Sequence, residues 1–200
     1  MAAESRPSPP MKFDFYVLSL SWLPSYCEAE GSGANPQQCA SGRPYAFVVH
    51  GLWPQFERGY PSDCETAEQR VDGDLVRSLY DIMPSAGLIG HQWRRHGSCT
   101  GFSPADYFST LRAAREKVVI PEAYRRLDGL LTVDVAQVER LFSEANPALP
   151  PDAISTSCDK RYLREVRICL SRELSSRACP ELERRACRSA NAMMPPVRGG

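Results

Sequence analysis

The stretch FDFYVLSLSW, residues 13–22, sets Phe13, Phe15 and Val17 against more polar neighbours and predicts a β-strand that Pro24 ends. The stretch YLREVRICL, 162–170, has the same period, with Tyr162, Val166, Ile168 and Leu170 on one side. Between them, YAFVV at 45–49 is a short apolar run leading into HGLWP, which puts His50 at the end of a strand, where a side chain is both held and exposed. Residues 28–44, rich in Gly, Ser, Asn and Pro and carrying Cys39, suggest a loop stapled back to Cys27.

Helical spacing appears elsewhere. Val71, Leu75, Val76, Leu79, Ile82 and Met83 predict a helix closed by Pro84. Ser103 and Pro104 form a helix start, a capping hydroxyl followed by a proline in the first turn, with Tyr107, Phe108, Leu111 and Ala114 on one face. Thr132 is expected to cap a helix carrying Val135, Val138, Leu141 and Phe142. Strands and helices mix without a regular alternation or internal repeat, so the expected class is α+β, with helices packed on a central antiparallel sheet. Residues 1–12 are set aside as a disordered N-terminal segment, since MAAESRPSPP lacks the apolar centre of a signal peptide. Residues 13–200 read as a single domain.

Composition removes several functions. With 24 basic and 24 acidic residues the chain is formally neutral, which excludes a histone-like or DNA-coating role. From Cys158 to Gly200 the balance is +5, a locally basic third compatible with touching phosphates. No run is apolar enough to span a membrane. The 8 cysteines (Cys27, Cys39, Cys64, Cys99, Cys158, Cys169, Cys179 and Cys187) are even in number and contain no C-x-x-C, which favours disulfides and a secreted or periplasmic protein. Spacing alone does not choose among their pairings.

The 3 histidines carry the chemistry, because each lies in a Trp and Gly context: HGLWP for His50, HQWRRHG for His91 and His96. Imidazole gives and takes protons near neutral pH, and two of them suit a reaction needing one base and one acid. The spacing of His91 and His96 does not match the H-E-x-x-H zinc pattern, and no metal or other cofactor is expected. On a helix, His91, Gln92, Arg95 and His96 would fall on one broad face and offer two imidazoles, an amide and a guanidinium to one cleft. Arginine's planar fork suits phosphate oxygens. RNA needs only this set, since its 2′-hydroxyl is a built-in nucleophile.

FVVHGLWPQ (47–55) and GHQWRRHGSC (90–99), in this order and about 40 residues apart, resemble the two active-site signatures of the ribonuclease T2 family. The likeness extends to FDFYVLSLSW near the start and to ISTSCDKRYLREVRIC at 154–169, so that roughly Phe13 to Cys187 is covered. The resemblance implies an α+β fold with a central antiparallel sheet, and cleavage of single-stranded RNA through a 2′,3′-cyclic phosphate to a 3′-phosphate. It implies that His96 is the general base, His50 the general acid, His91 a phosphate-binding residue and Trp53 an aromatic of the first base pocket. It pairs Cys64 with Cys99, Cys158 with Cys187 and Cys169 with Cys179, leaving Cys27 with Cys39.

Several positions depart from the pattern. Gln92 replaces a glutamate, keeping its shape and losing its charge, while Arg95 replaces a lysine and keeps a cation. Gln55 and Ser21 stand where relatives often carry base-contacting Asp and Gln. The expected protein is therefore a monomeric, metal-independent endoribonuclease slowed by Gln92, acting on RNA and not on DNA or membranes. The alternative is a secreted RNA-binding or cytotoxic protein of the same fold with little catalysis.

Overall fold

Strand β1 (Phe15–Trp22) lies inside a four-stranded sheet of order β2-β1-β5-β4, in which β2 is Phe47–Gln55, β4 Ile154–Cys158 and β5 Leu163–Leu170. All its neighbours run antiparallel. This computed structural model describes residues 12–179 and 186–198. The proposed disordered segment, apart from Lys12, lies outside the described residues.

Alternation gives the sheet two unlike faces. Tyr16, Leu18, Leu20, Val49, Val166 and Ile168 point into the main core. There they meet α5 (Pro104–Glu116) and α6 (Val135–Ala145), which contribute Tyr107, Phe108, Leu111, Val138 and Phe142. On the opposite face Phe15, Val17, Cys169, Cys179 and Trp53 form a small apolar patch. Further along that face Ser19 pairs with Arg167 and Ser21 with Glu165, turning it polar. Among the described residues no helix is long and apolar enough to cross a membrane.

Four disulfides join Cys27–Cys39, Cys64–Cys99, Cys158–Cys187 and Cys169–Cys179, with Cα separations of 5.6, 5.0, 5.0 and 5.8 Å. These are the pairings the resemblance implies.

Several local expectations are corrected. Beyond the strand Pro24 sits in the first turn of α1 (Leu23–Glu30), and the segment 28–44, expected as a loop, holds the end of α1 and α2 (Pro36–Cys39). The helix expected to run to Pro84 is the shorter α3 (Gly73–Ser78), capped by Asp72. Beyond it the chain turns so that the Ile82 carbonyl can accept from Val49 N–H at 2.8 Å, a tertiary bond the helical spacing does not reveal. Thr132 does not cap α6. It lies in β3 (Leu131–Asp134), paired with Met193 of β6 (Asn191–Met194), and the cap is Asp134, whose side chain accepts from Gln137 N–H. His50 lies within β2 rather than at a strand end.

Candidate active site

His50 owes its position to a register shift. Opposite β1, Ser19 pairs with Gly51 but Leu20 pairs with Val49, so His50 is an extra residue in β2. Such a bulge re-aims side chains. Here it resets the alternation: Val49 and Leu52 both reach the main core, while His50 and Trp53, three residues apart, share the polar face. Their rings meet edge to face, with centroids 5.4 Å apart.

Behind His50 stands a carboxylate. His50 Nδ1 and Glu165 Oε1 are 2.5 Å apart. Glu165 Oε2 accepts from Arg167 Nε at 2.9 Å, from Arg167 Nη2 at 2.6 Å and from Ser157 Oγ at 3.3 Å. Burial pushes the Glu165 carboxyl up, but the hydrogen bond and charge of His50, together with Arg167, outweigh it and hold the group at about 2. It is therefore ionised at neutral pH and stands as a buried negative charge behind the His50 ring. The Arg167 guanidinium also lies over the Trp53 ring, 5.6 Å from its centroid.

The second wall is α4 (Ala86–Arg95), whose N-cap Ser85 accepts from Leu88 N–H. Gln92 is buried, and its Oε1 accepts from Trp53 Nε1 at 2.8 Å. Because the indole N–H only donates, this bond fixes the amide orientation and turns the NH₂ group away from Trp53. Gly51 makes room for the contact: a Cβ there would stand 2.1 Å from Gln92 Oε1.

His96 closes α4. Its N–H donates to Gln92 O, and its buried ring lies 5.5 Å from Trp53 and 6.4 Å from Tyr60 between centroids. Its Nδ1 is buried without a hydrogen-bond partner, so protonation would leave a charged donor unsatisfied. Burial, reinforced by the charges of Arg95, His91 and His50 and opposed by Asp63, lowers His96 from the ordinary 6.5 to about 4. Gly97 lets this corner pack, since a Cβ would stand 2.5 Å from Trp93 Cε3.

The single face expected for residues 91, 92, 95 and 96 divides into two rows. Gln92 and His96, one turn apart, face Trp53 and the sheet. His91 is exposed and lines a cleft of ≈ 370 Å³ with His50, Glu165, Ser21, Tyr26 and Leu88. Arg95 turns to the loop after β2, where its Nη1 bonds Asp63 Oδ2 at 2.9 Å and its carbonyl accepts from Asp63 N–H. Gln55 sits at the far end of β2 opposite Phe15, its amide nitrogen donating to Pro54 O. Among the described residues no group of His, Cys, Asp and Glu converges to hold a metal ion.

Glu165, Arg167, Ser157 and Asp63 escaped the sequence reading. The available signal was Glu-x-Arg inside YLREVRICL: two residues apart in a strand place both charges on the face opposite Val166 and Ile168.

The Ribonuclease T2 family model matches residues 13–179. A ribonuclease of Aeromonas hydrophila is 33% identical over 177 residues, covering 81% of this chain and 74% of the relative. Ribonuclease DdI of Dictyostelium discoideum is 27% identical over 207 residues, covering 90% and 84%. Two solved structures share the fold: an RNase-related protein from Calystegia sepium (TM-score 0.73, 21% identity, 92% of this chain and 98% of that one) and RNase NT in complex with 5'-AMP (TM-score 0.69, 22% identity, 93% and 100%).

Proposed function

The chain belongs to the ribonuclease T2 family, and from that premise we propose that it cleaves single-stranded RNA by transphosphorylation, with His96 as general base and His50 as general acid. The observation that carries this assignment is the contrast between the two imidazoles that flank Trp53. His96 stays neutral down to about pH 4 and can accept the proton of a 2′-hydroxyl. His50 has the ionised Glu165 at its back and can carry the proton that the leaving 5′-oxygen needs. Pairs of titratable groups held in opposite environments mark the base and the acid of a site.

Attack of the 2′-oxygen on phosphorus gives a 2′,3′-cyclic phosphate and releases a 5′-hydroxyl. In the second step His50 takes a proton from water and His96 returns one to the 2′-oxygen, leaving a 3′-phosphate. Nothing in either step calls on a metal. His91, on the cleft side of α4, offers a hydrogen-bonding imidazole to the phosphate, and Arg95, beside His96, supplies positive charge near it. DNA, lacking the 2′-hydroxyl, is left intact.

The test is cleavage of an RNA homopolymer in EDTA, with products followed by phosphorus NMR. A cyclic phosphate that precedes the 3′-phosphate is expected; a 5′-phosphate product would refute the scheme. Gln92 supports a second reading, an RNA-binding protein with little turnover, since an amide stands where the family has a carboxylate. It prevails if Gln92→Glu binds RNA and still fails to cut it. Pairing of all the cysteines supports an oxidising compartment, secreted or periplasmic, as the place of action.

A further inference from the structure

The Cys27–Cys39 loop forms a thin ridge between the cleft beside His50 and a second depression. Asn35 Nδ2 donates to Ser85 Oγ at 3.2 Å and Gln37 Oε1 accepts from Ala86 N–H at 3.1 Å, tying the loop to the start of α4. Asn35, Gln38 and Ser85 face the cleft, whereas their neighbours Gln37 and Pro84 face a depression of ≈ 290 Å³. The other walls of that depression include Arg43, Tyr45 and Tyr80. Arg43 and Tyr45 also border a third depression of ≈ 280 Å³, which shares Gln38 with the cleft. The three hollows follow one another around a single loop.

The chemistry of the second hollow is specific. Tyr45 hydroxyl donates to Tyr80 O at 2.8 Å, and Arg43 Nη1 donates to the Tyr45 oxygen at 3.3 Å. Arg43 is exposed and has no ion pair among the described residues. Arg164, on the cleft, is instead neutralised by Asp159, and Arg198, on the third hollow, by Glu28. An exposed guanidinium without an ion pair among the described residues, beside half-buried tyrosines and a proline, is what a single-stranded polynucleotide needs: a cation for a phosphate and flat faces for a base.

We propose that the hollow between Arg43 and Tyr80 is a subsite for the nucleotide 3′ to the leaving nucleoside. The proposal rests on the reading of His50 as the acid, which puts the leaving nucleoside on the cleft side of Trp53. From there the next phosphate on the 3′ side meets the ridge at Asn35–Gln38. Cleavage then favours the interior of a chain over its last linkage.

Fluorescence anisotropy with oligonucleotides carrying a 2′-O-methyl group at the scissile position tests this without requiring turnover. A dinucleotide, a trinucleotide extended on the 3′ side and one extended on the 5′ side are compared. The 3′ extension should tighten binding about tenfold, the size expected from one stacked base with its phosphate, and Arg43→Glu or Tyr80→Ser should remove that gain. The dinucleotide with a free 2′-hydroxyl should be cut equally by the native chain and by both variants. No gain from the 3′ extension, an equal gain from the 5′ extension, or a gain that survives both substitutions overturns the subsite. Failure of the native chain to cut the dinucleotide counts separately, against the catalytic reading.

Discussion

His50 and His96 lie on either side of one indole yet are held by opposite means. His50 belongs to the sheet, and its ring is bonded to a carboxylate that is itself held by an arginine and a serine. His96 belongs to the end of a helix, and its buried Nδ1 has no hydrogen-bond partner among the described residues. One is positioned by a completed network, the other by exclusion of water. The same side chain is therefore held in two unlike settings, without a second residue type.

The most direct way to break the comparison is to remove either ring. His50→Ala and His96→Ala should each slow RNA cleavage by about 10²–10⁴, with the double variant little slower than the worse single one, as for groups that act as a unit. If the double loss equals the sum of the two, the rings do not serve one reaction. Glu165→Gln tests the network side alone. It leaves Arg167 without its buried partner, and about 3 kcal/mol of stability should go with it, seen as a lowered midpoint in urea. Turnover unchanged by Glu165→Gln would reduce Glu165 to a structural role.

Gln92→Glu sharpens the helical side and should raise turnover by about tenfold or more. Acid should act on the native chain as well. Both shifted groups bind protons more weakly folded than unfolded, so each contributes stability above its unfolded value and loses it as pH falls through the folded one. For His96 that window runs from 6.5 to about 4, and for Glu165 from 4.5 to about 2. The urea midpoint should accordingly fall steadily below pH 6.5. The acid limb of kcat/KM should lie near pH 4, where neutral His96 is lost, and a limb near 6.5 would show that the ring is better hydrated than its burial implies.

How much of this was legible in the sequence follows from the range of the forces involved. FDFYVLSLSW and YLREVRICL announced their strands because period-two patterning is local, and Ser103–Pro104 announced α5 because a cap is local too. The three histidines stood out by their aromatic and glycine neighbours. The bulge at His50 left no mark, since it exists only relative to β1, and Thr132 was misjudged because its partner Met193 lies near the other end of the chain. Glu165 was hidden by attention to the apolar side of its own strand. The parting of His91 and Arg95 from Gln92 and His96 needed knowledge of where the sheet lies against α4.

Trp22 and Trp93 are buried, with indole N–H groups bonded to backbone carbonyls of Pro195 and Glu68, whereas Trp53 is half-exposed between the rings of His50 and His96. A fluorophore therefore stands where the His50 ring, the His96 ring and the Gln92 amide meet. Its emission offers a label-free optical readout of changes at either ring.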